Sequence, residues 1–336
     1  MARHSAADFR SNLAVFLAGL VLALLFVEGG LRVADVSGLT GLWQERRTAL
    51  HDSIWMKSDN PELMYVHRPN YYSEGVRFTE NSGILRPDDV AVEADGIIRI
   101  AVIGDSVAAA TRLPYPQRFV TRLEDGLAGI YTPAVVEVLN FGVNGYSTLQ
   151  EAALLESVVD RFSPHILVLQ YCMNDFYPSE RPSGWFAAHS PLYTIDFITT
   201  LIERRNALGY PPAEYWESSY RQDAAGWRNV ERGFARISGY AASRDIPVLL
   251  VVFPLISREG WYAGSARERH ARIAAAGEDA GLDVLDLLPV FAEHNIETIR
   301  DKPWDTFHPN ELGHRIAATA ITGEFRNRGY LHGGQP

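Results

Sequence analysis

Cysteine is almost absent from this chain. Cys172 is the only one in 336 residues, so no disulfide can form within it, and the compartment stays open because exported proteins can do without disulfides. Positive charge is also scarce: 31 Lys and Arg face 41 Asp and Glu, a net charge of −10. That balance excludes nucleic acid as the main partner, since phosphate binding needs basic surface. There is no Gly-rich phosphate cradle, no internal repeat and no low-complexity tract. What remains is an ordinary globular composition, 47% hydrophobic and 21% charged, sufficient for a sizeable core.

One long apolar run is present. Residues 13–27, LAVFLAGLVLALLFV, are uninterrupted and follow Arg3 and Arg10. Fifteen residues suit a signal-peptide core and are short for a membrane span, but the segment continues through Glu28 and Arg32 to Ala34, and end charges can snorkel to the interface. Cleavage after Ala34 would put Arg32 at the minus-three position, and no cysteine is available for a lipid anchor. Residues 1–34 are therefore expected to be an uncleaved anchor with its basic end in the cytoplasm, and a cleaved signal peptide is the rival reading. In either case the remainder is expected outside the cytoplasm.

Residues 35–96 show little periodicity and carry Trp43, Trp55, Tyr65, Tyr71 and Tyr72 among prolines and charges; they read as a juxtamembrane segment packed on the main domain. From there a clearer rhythm begins. Apolar runs at 98–103, 135–139, 166–170, 247–253 and 283–287 predict strands. Between them, Phe119, Leu123, Leu127 and Ile130 share one helical face, as do Leu155, Val158, Val159 and Phe162. Ser147 to Gln150 has the form of a capping box opening that second helix. Trp227, Val230, Phe234, Ile237 and Ala241 mark a third. Apolar strands alternating with helices predict an α/β domain over 97–330, with a parallel sheet covered on both faces. The stretch from Phe176 to Trp227 is rich in aromatics and reads either as a helical insertion burying its own rings or as a lid lining a cleft.

Four short stretches fall just after predicted strands, where ligands bind in such sheets. They are Gly104-Asp105-Ser106, Asn140 to Ser147, Cys172 to Asp175, and Asp305 to Pro309, the last leading into a helix with Leu312, Ile316 and Ala320 on one side. Each alone could be a turn or a cap. Together they supply what ester cleavage needs. Ser106 offers a hydroxyl, His308 a base of suitable pKa, and Asp305 a carboxylate to hold the imidazole. The backbone N–H groups of Ser106 and Gly145 and the side-chain amide of Asn174 offer an oxyanion hole. Cys172 as nucleophile has no base near it in sequence, and the six-residue spacing of His308 and His314 does not place both on one helix face to hold a metal.

In this order, the four blocks resemble those of the SGNH hydrolases, also called GDSL esterases/lipases, over residues 97–325. The resemblance implies a flavodoxin-like three-layer α/β/α sandwich with a five-stranded parallel sheet in strand order 2-1-3-4-5. It implies a nucleophile at Ser106, a base at His308, its orienting partner at Asp305, oxyanion donors at Ser106, Gly145 and Asn174, and no cofactor. Two positions depart from the pattern: Val107 stands where leucine is usual, and Cys172 where glycine precedes the Asn-Asp pair. Asn81 to Arg86 is similar to a segment preceding the domain in membrane-anchored bacterial members. The expected activity is a serine esterase acting on O-acyl esters, including carbohydrate esters. An O-acyltransferase using a sugar hydroxyl as acceptor, and a non-catalytic envelope polysaccharide-binding protein, remain the alternatives. The oligomeric state is left open.

Overall fold

The computed structural model describes residues 6–36, 54–93, 96–128, 135–176, 193–195, 198, 218–258, 264–303 and 305–330. Trp43, Ile130 and most of the aromatic stretch between Phe176 and Trp227 lie outside the described residues. The chain divides into two compact units, one of residues 1–53 with 182–210, the other of 54–181 with 211–336.

The first unit carries helix α1 (Ala6–Val36). Its stretch Ala14–Ala34 has a mean hydropathy of 2.3 over 21 residues, and is the one helix among the described residues long and apolar enough to cross a membrane. At 1.5 Å per residue it extends about 31 Å, close to the thickness of a bilayer core. Gly29 and Gly30 do not interrupt it. Glu28 is satisfied within this unit: it accepts from Arg32 Nε and from the backbone N–H groups of Tyr193 and Thr194, each at 2.9 Å.

The second unit opens with two short antiparallel pairs, β1 (Trp55–Lys57) with β2 (Tyr65–His67) and β3 (Tyr72–Ser73) with β4 (Val76–Arg77). The turn after β4 is organised by Glu80, whose carboxylate accepts the N–H groups of Ser82 (2.6 Å) and Ile84 (3.0 Å). Gly83 sits there at φ +87°, and a Cβ would meet the His67 carbonyl at 2.9 Å, so only glycine fits without movement. Leu85 N–H then bonds the carbonyl of Asn140 at 3.2 Å, and the Tyr65 hydroxyl donates to the carbonyl of Asn144 at 2.7 Å. Residues upstream of the sheet thus hold the loop that carries Gly145.

Five strands follow: β5 (Ile97–Ile103), β6 (Val135–Asn140), β7 (Ile166–Tyr171), β8 (Val248–Val252) and β9 (Asp283–Asp286). All pair in parallel, in the order β6-β5-β7-β8-β9. This is the 2-1-3-4-5 order expected. Apart from Arg99 and Gln170, the central strands β5, β7 and β8 are apolar because both faces are covered. One face, with Ile100, Val102, Val138, Val168 and Val251, packs in a core with Phe119, Leu123 and Leu127 of α3 (Phe119–Ala128) and Ala317, Ile321 and Phe325 of α9 (Glu311–Arg328). The short helices α7 (Leu288–Ala292) and α8 (Ile296–Ile299) precede α9 and add Phe291 and Ile299 to the same core. On the other face Tyr171 meets Phe234 of α5 (Ala225–Ala242) with ring centroids 5.8 Å apart. Gly277 of α6 (Gly264–Asp279) leaves room for Leu250 and Val284, the former lying 2.5 Å from where a Cβ would be.

Two local features differ from the periodicity. The helix opened by Ser147 is regular only over α4 (Thr148–Leu154), where the capping box forms with Ser147 N–H donating to Gln150 Oε1 at 3.2 Å. It then widens into a π turn at Leu155–Val159, tightens at Asp160–Phe162, and ends at Ser163 with φ 48°. In α9, Leu312, Ile316 and Ala320 are only partly buried, and the deepest face carries Gly313, Ala317, Ala318 and Ile321. Small residues there let α9 approach α3 closely; Gly126 of α3 lies where a Cβ would be 2.8 Å from Thr322 Oγ1.

Candidate active site

The strand β5 ends at Ile103, and a tight turn delivers Ser106 to the first position of the short helix α2 (Ser106–Ala109). Glycine at 104 lets the turn pass close to β7, because a Cβ would lie 2.4 Å from Gln170 Oε1, 2.9 Å from Gln170 Cβ and 3.0 Å from Ala108 Cβ. The same Gln170 oxygen accepts the N–H groups of Asp105 (3.1 Å) and Ala108 (3.0 Å), pinning the turn to β7. Asp105 is the N-cap, with Oδ1 accepting Val107 N–H at 2.8 Å. The capping and chemical readings of this stretch are therefore divided between two residues: Asp105 caps, and the Ser106 hydroxyl is left for other partners.

That hydroxyl lies 2.8 Å from His308 Nε2, across 202 residues of sequence. A longer contact of 3.3 Å links it to Asp105 Oδ2, so the shorter geometry directs the serine proton to the imidazole. His308 Nδ1 in turn lies 2.8 Å from Asp305 Oδ2 and 2.9 Å from Oδ1. The three-residue spacing works because Asp305 also turns the chain: its Oδ1 accepts the backbone N–H groups of Phe307 and His308, both at 3.0 Å. Burial raises the Asp305 carboxyl, but hydrogen bonds and charge from His308, with those two N–H groups, outweigh it and hold the acid well below its ordinary range. The arrangement can pass a proton from serine to histidine and keep the resulting cation beside a carboxylate.

The other two blocks follow the strands on either side of β5. After β6, Gly142 approaches so closely that a Cβ would sit 2.4 Å from Ala109 N, and Gly145 adopts φ +79°. After β7, Asp175 closes a turn, its Oδ2 accepting Cys172 N–H at 2.7 Å and its N–H bonding the Cys172 carbonyl at 3.0 Å. Asn174 projects from that turn and donates Nδ2–H to Asp105 Oδ2 at 3.1 Å. Cys172 packs in the core on the sheet face shared with α3 and α9, fully buried, and burial pushes its thiol well above the usual range. A protonated, enclosed thiol is a packing group rather than a nucleophile. His314 is likewise inside, accepting Phe119 N–H on Nδ1 at 3.2 Å and stacked on the Phe119 ring.

Ser106 and His308 open onto a cleft that Arg112, Asn144 and Asp301 also line. Arg112 and Asp301 were not singled out by their sequence context: Arg112 Nη1 lies 2.7 Å from Asp305 Oδ2 and 3.3 Å from Asp301 Oδ2. Tyr65 and Gln170 support the two turns from outside the blocks. In the sequence Tyr65 stands out only as one aromatic of the segment before the sheet, and Gln170 only as a polar residue at the end of an otherwise apolar run.

A sequence model of the GDSL-like Lipase/Acylhydrolase family matches residues 102–316, from within β5 into α9. The chain belongs to that family. It is a serine ester hydrolase of the SGNH type, and the matched span contains all four blocks. No curated protein sequence matches this GDSL-like hydrolase. Among solved structures, it is similar to Axe2, an acetylxylan esterase from Geobacillus stearothermophilus, at 16% identity and a TM-score of 0.46, covering 71% of this chain and 95% of that one. It is also similar to TesA at 16% identity and a TM-score of 0.45, covering 68% and 98%. A two-domain esterase (CEX) active on acetylated mannans gives 17% identity and a TM-score of 0.43, covering 71% and 51%.

Proposed function

We propose that this GDSL-like hydrolase cleaves O-acyl esters, including acylated carbohydrates, through Ser106, His308 and Asp305, and that α1 anchors it with its catalytic unit outside the cytoplasm. The observation that carries the reading is the continuous contact from Ser106 Oγ through His308 to Asp305, at 2.8 Å for each link. As Ser106 Oγ bonds to the ester carbonyl carbon, its proton passes to His308 Nε2 and the carbonyl oxygen becomes an oxyanion. The N–H groups of Ser106 and Gly145 and the amide of Asn174 receive that charge. Collapse breaks the bond to the alkoxy oxygen, which leaves as the alcohol with the proton from His308. Water then bonds to the acyl carbon as His308 takes its proton; the bond from that carbon to Ser106 Oγ breaks, His308 returns the proton to Oγ, and the carboxylic acid departs.

The anchor reading rests on the length and hydropathy of Ala14–Ala34, and the carbohydrate reading on the exported location such an anchor would give and on the aromatic-rich sequence between Phe176 and Trp227. The test is a fluorophosphonate label with short- and long-chain aryl esters beside it, on the full chain in detergent. Ser106→Ala is expected to lose both labelling and hydrolysis while keeping its circular dichroism, and His308→Ala to be comparably severe because the two act as one unit. Full turnover by Ser106→Ala overturns the mechanism. Added sugar acceptors distinguish hydrolysis from acyl transfer by the product formed.

A further inference from the structure

Arg112 shares the orienting carboxylate with the histidine. Ala110 ends α2 in the left-handed region at φ 45°, and Leu113 N–H bonds back to the Ala110 carbonyl at 3.0 Å. That turn carries Arg112 to the mouth of the cleft, where its Nη1 reaches Asp305 Oδ2 at 2.7 Å. The same oxygen lies 2.8 Å from His308 Nδ1. A permanent cation and the imidazole therefore draw on one carboxylate oxygen. The guanidinium is itself divided, because Nη1 also contacts Asp301 Oδ2 at 3.3 Å.

We propose that Arg112 is a positioning residue that sets, in opposition to Asp301, the pH at which His308 becomes free to accept the proton of Ser106. A carboxylate beside a catalytic imidazole stabilises its protonated form. A guanidinium on that carboxylate withdraws part of this stabilisation and repels the arriving proton directly, so His308 stays available as a base at lower pH. Asp301 does the reverse by neutralising part of the guanidinium.

The remaining charges near His308 are fixed or silent. Lys302 stands 4.0 Å from Asp301 Oδ1 with its side chain more than half exposed, where solvent screens it. Asp105 lies on the far side of Ser106, held by Val107 N–H and Asn174. His314 is packed inside α9, and burial first, then the charges of His308, Arg118 and Arg122, lower it to about 3, so it carries no charge in the working range. The Arg112 side chain is 58% exposed. Its Nη1 nonetheless meets, at 2.7 Å, a carboxylate that is only 9% exposed, whereas Lys302 reaches Asp301 alone, so the guanidinium acts on Asp305 by direct contact rather than across solvent.

This inference rests on the reading of Ser106 and His308 as nucleophile and base, and two measurements separate its failure from the failure of that reading. The first is the pH dependence of fluorophosphonate labelling of the full chain in detergent. Arg112→Gln is expected to move the acid limb up by about one pH unit, Asp301→Asn to move it down by roughly half a unit, and Arg112→Lys to leave it near the wild-type position. The second needs no turnover: the protonation of His308 is followed by NMR on the same proteins carrying 15N-labelled histidine, with His308→Asn giving the assignment. The midpoints are expected to move in the same two opposite directions. A simple tether between loops would lower thermal stability in both variants and move neither limb nor midpoint. Midpoints that stay fixed, or that move together in one direction, overturn the proposal. A wild-type protein that never labels at Ser106 refutes the hydrolase reading, and the histidine midpoints still decide the role of Arg112.

Discussion

Asn174 donates its amide N–H to Asp105 at 3.1 Å, so the carboxylate that caps the helix of Ser106 also aims the side chain that follows β7. Two loops on neighbouring strands are locked together beside Ser106. The cysteine at position 172 does not prevent this, because its side chain turns into the core while Asp175 holds the turn.

If Asn174 donates its second N–H to the oxyanion, its contribution appears mainly in the transition state, where that oxygen carries most charge. Asn174→Ala is expected to lower kcat by roughly a hundred- to a thousandfold with little change in KM. Loss of a turn residue alone would reduce stability by about 1 kcal/mol and leave turnover of the folded fraction intact. Kinetics on variants with native circular dichroism separate the two, and a folded Asn174→Ala enzyme with near-normal kcat removes this residue from the oxyanion hole.

Behind these loops lie two enclosed acids. Glu151 and Asp175 are fully buried, and neither oxygen of Glu151 nor Oδ1 of Asp175 has a hydrogen-bond partner among the described residues. Burial, then the Asp105 charge, pushes Glu151 well above its ordinary 4.5; burial, then Glu151, then Asp105, does the same for Asp175. The folded state therefore holds protons that the unfolded chain releases, and stability falls as pH rises from 4.5 towards the folded value. Buried His67 and His314, each lowered to about 3, act oppositely between 3 and 6.5. Up to their raised folded values, the two carboxyls each contribute a slope of at most about 1.4 kcal/mol per pH unit. Glu151→Gln is expected to flatten that slope and to be stabilised more at pH 8 than at pH 5. Urea midpoints across that range check it, and an unchanged slope in the variant refutes it.

The apolar helix makes a third expectation. The full chain should sediment with membranes, resist extraction by high salt and be released by detergent. Leu20→Arg, near the middle of the stretch Ala14–Ala34, should weaken membrane integration, since a charge there costs about 3 kcal/mol. A mature protein beginning near residue 38 would instead establish a cleaved signal.

Much of this molecule was determined by its sequence. Strands buried on both faces must be apolar along most of their length, so the runs around Ile100, Val138, Val168 and Val251 were visible without their partners. The helices around Leu123 and Phe234 were visible because one covered face repeats every 3.6 residues. The four blocks were legible because turns that end such strands demand particular residues, as at Gly104 and Gly142, where a Cβ has no space.

Tertiary structure decided the rest. Only the order β6-β5-β7 sets Gly145 and Asn174 on either side of Ser106, and only the closing of the chain brings His308 to within 2.8 Å of it. The same is true of Arg112 on Asp305, of Tyr65 under the Gly145 loop, and of the burial of Glu151. Local periodicity records which face of an element is covered, but a charge's neighbours depend on the packing of distant segments, and a polar residue on a loop has no period that announces its partner.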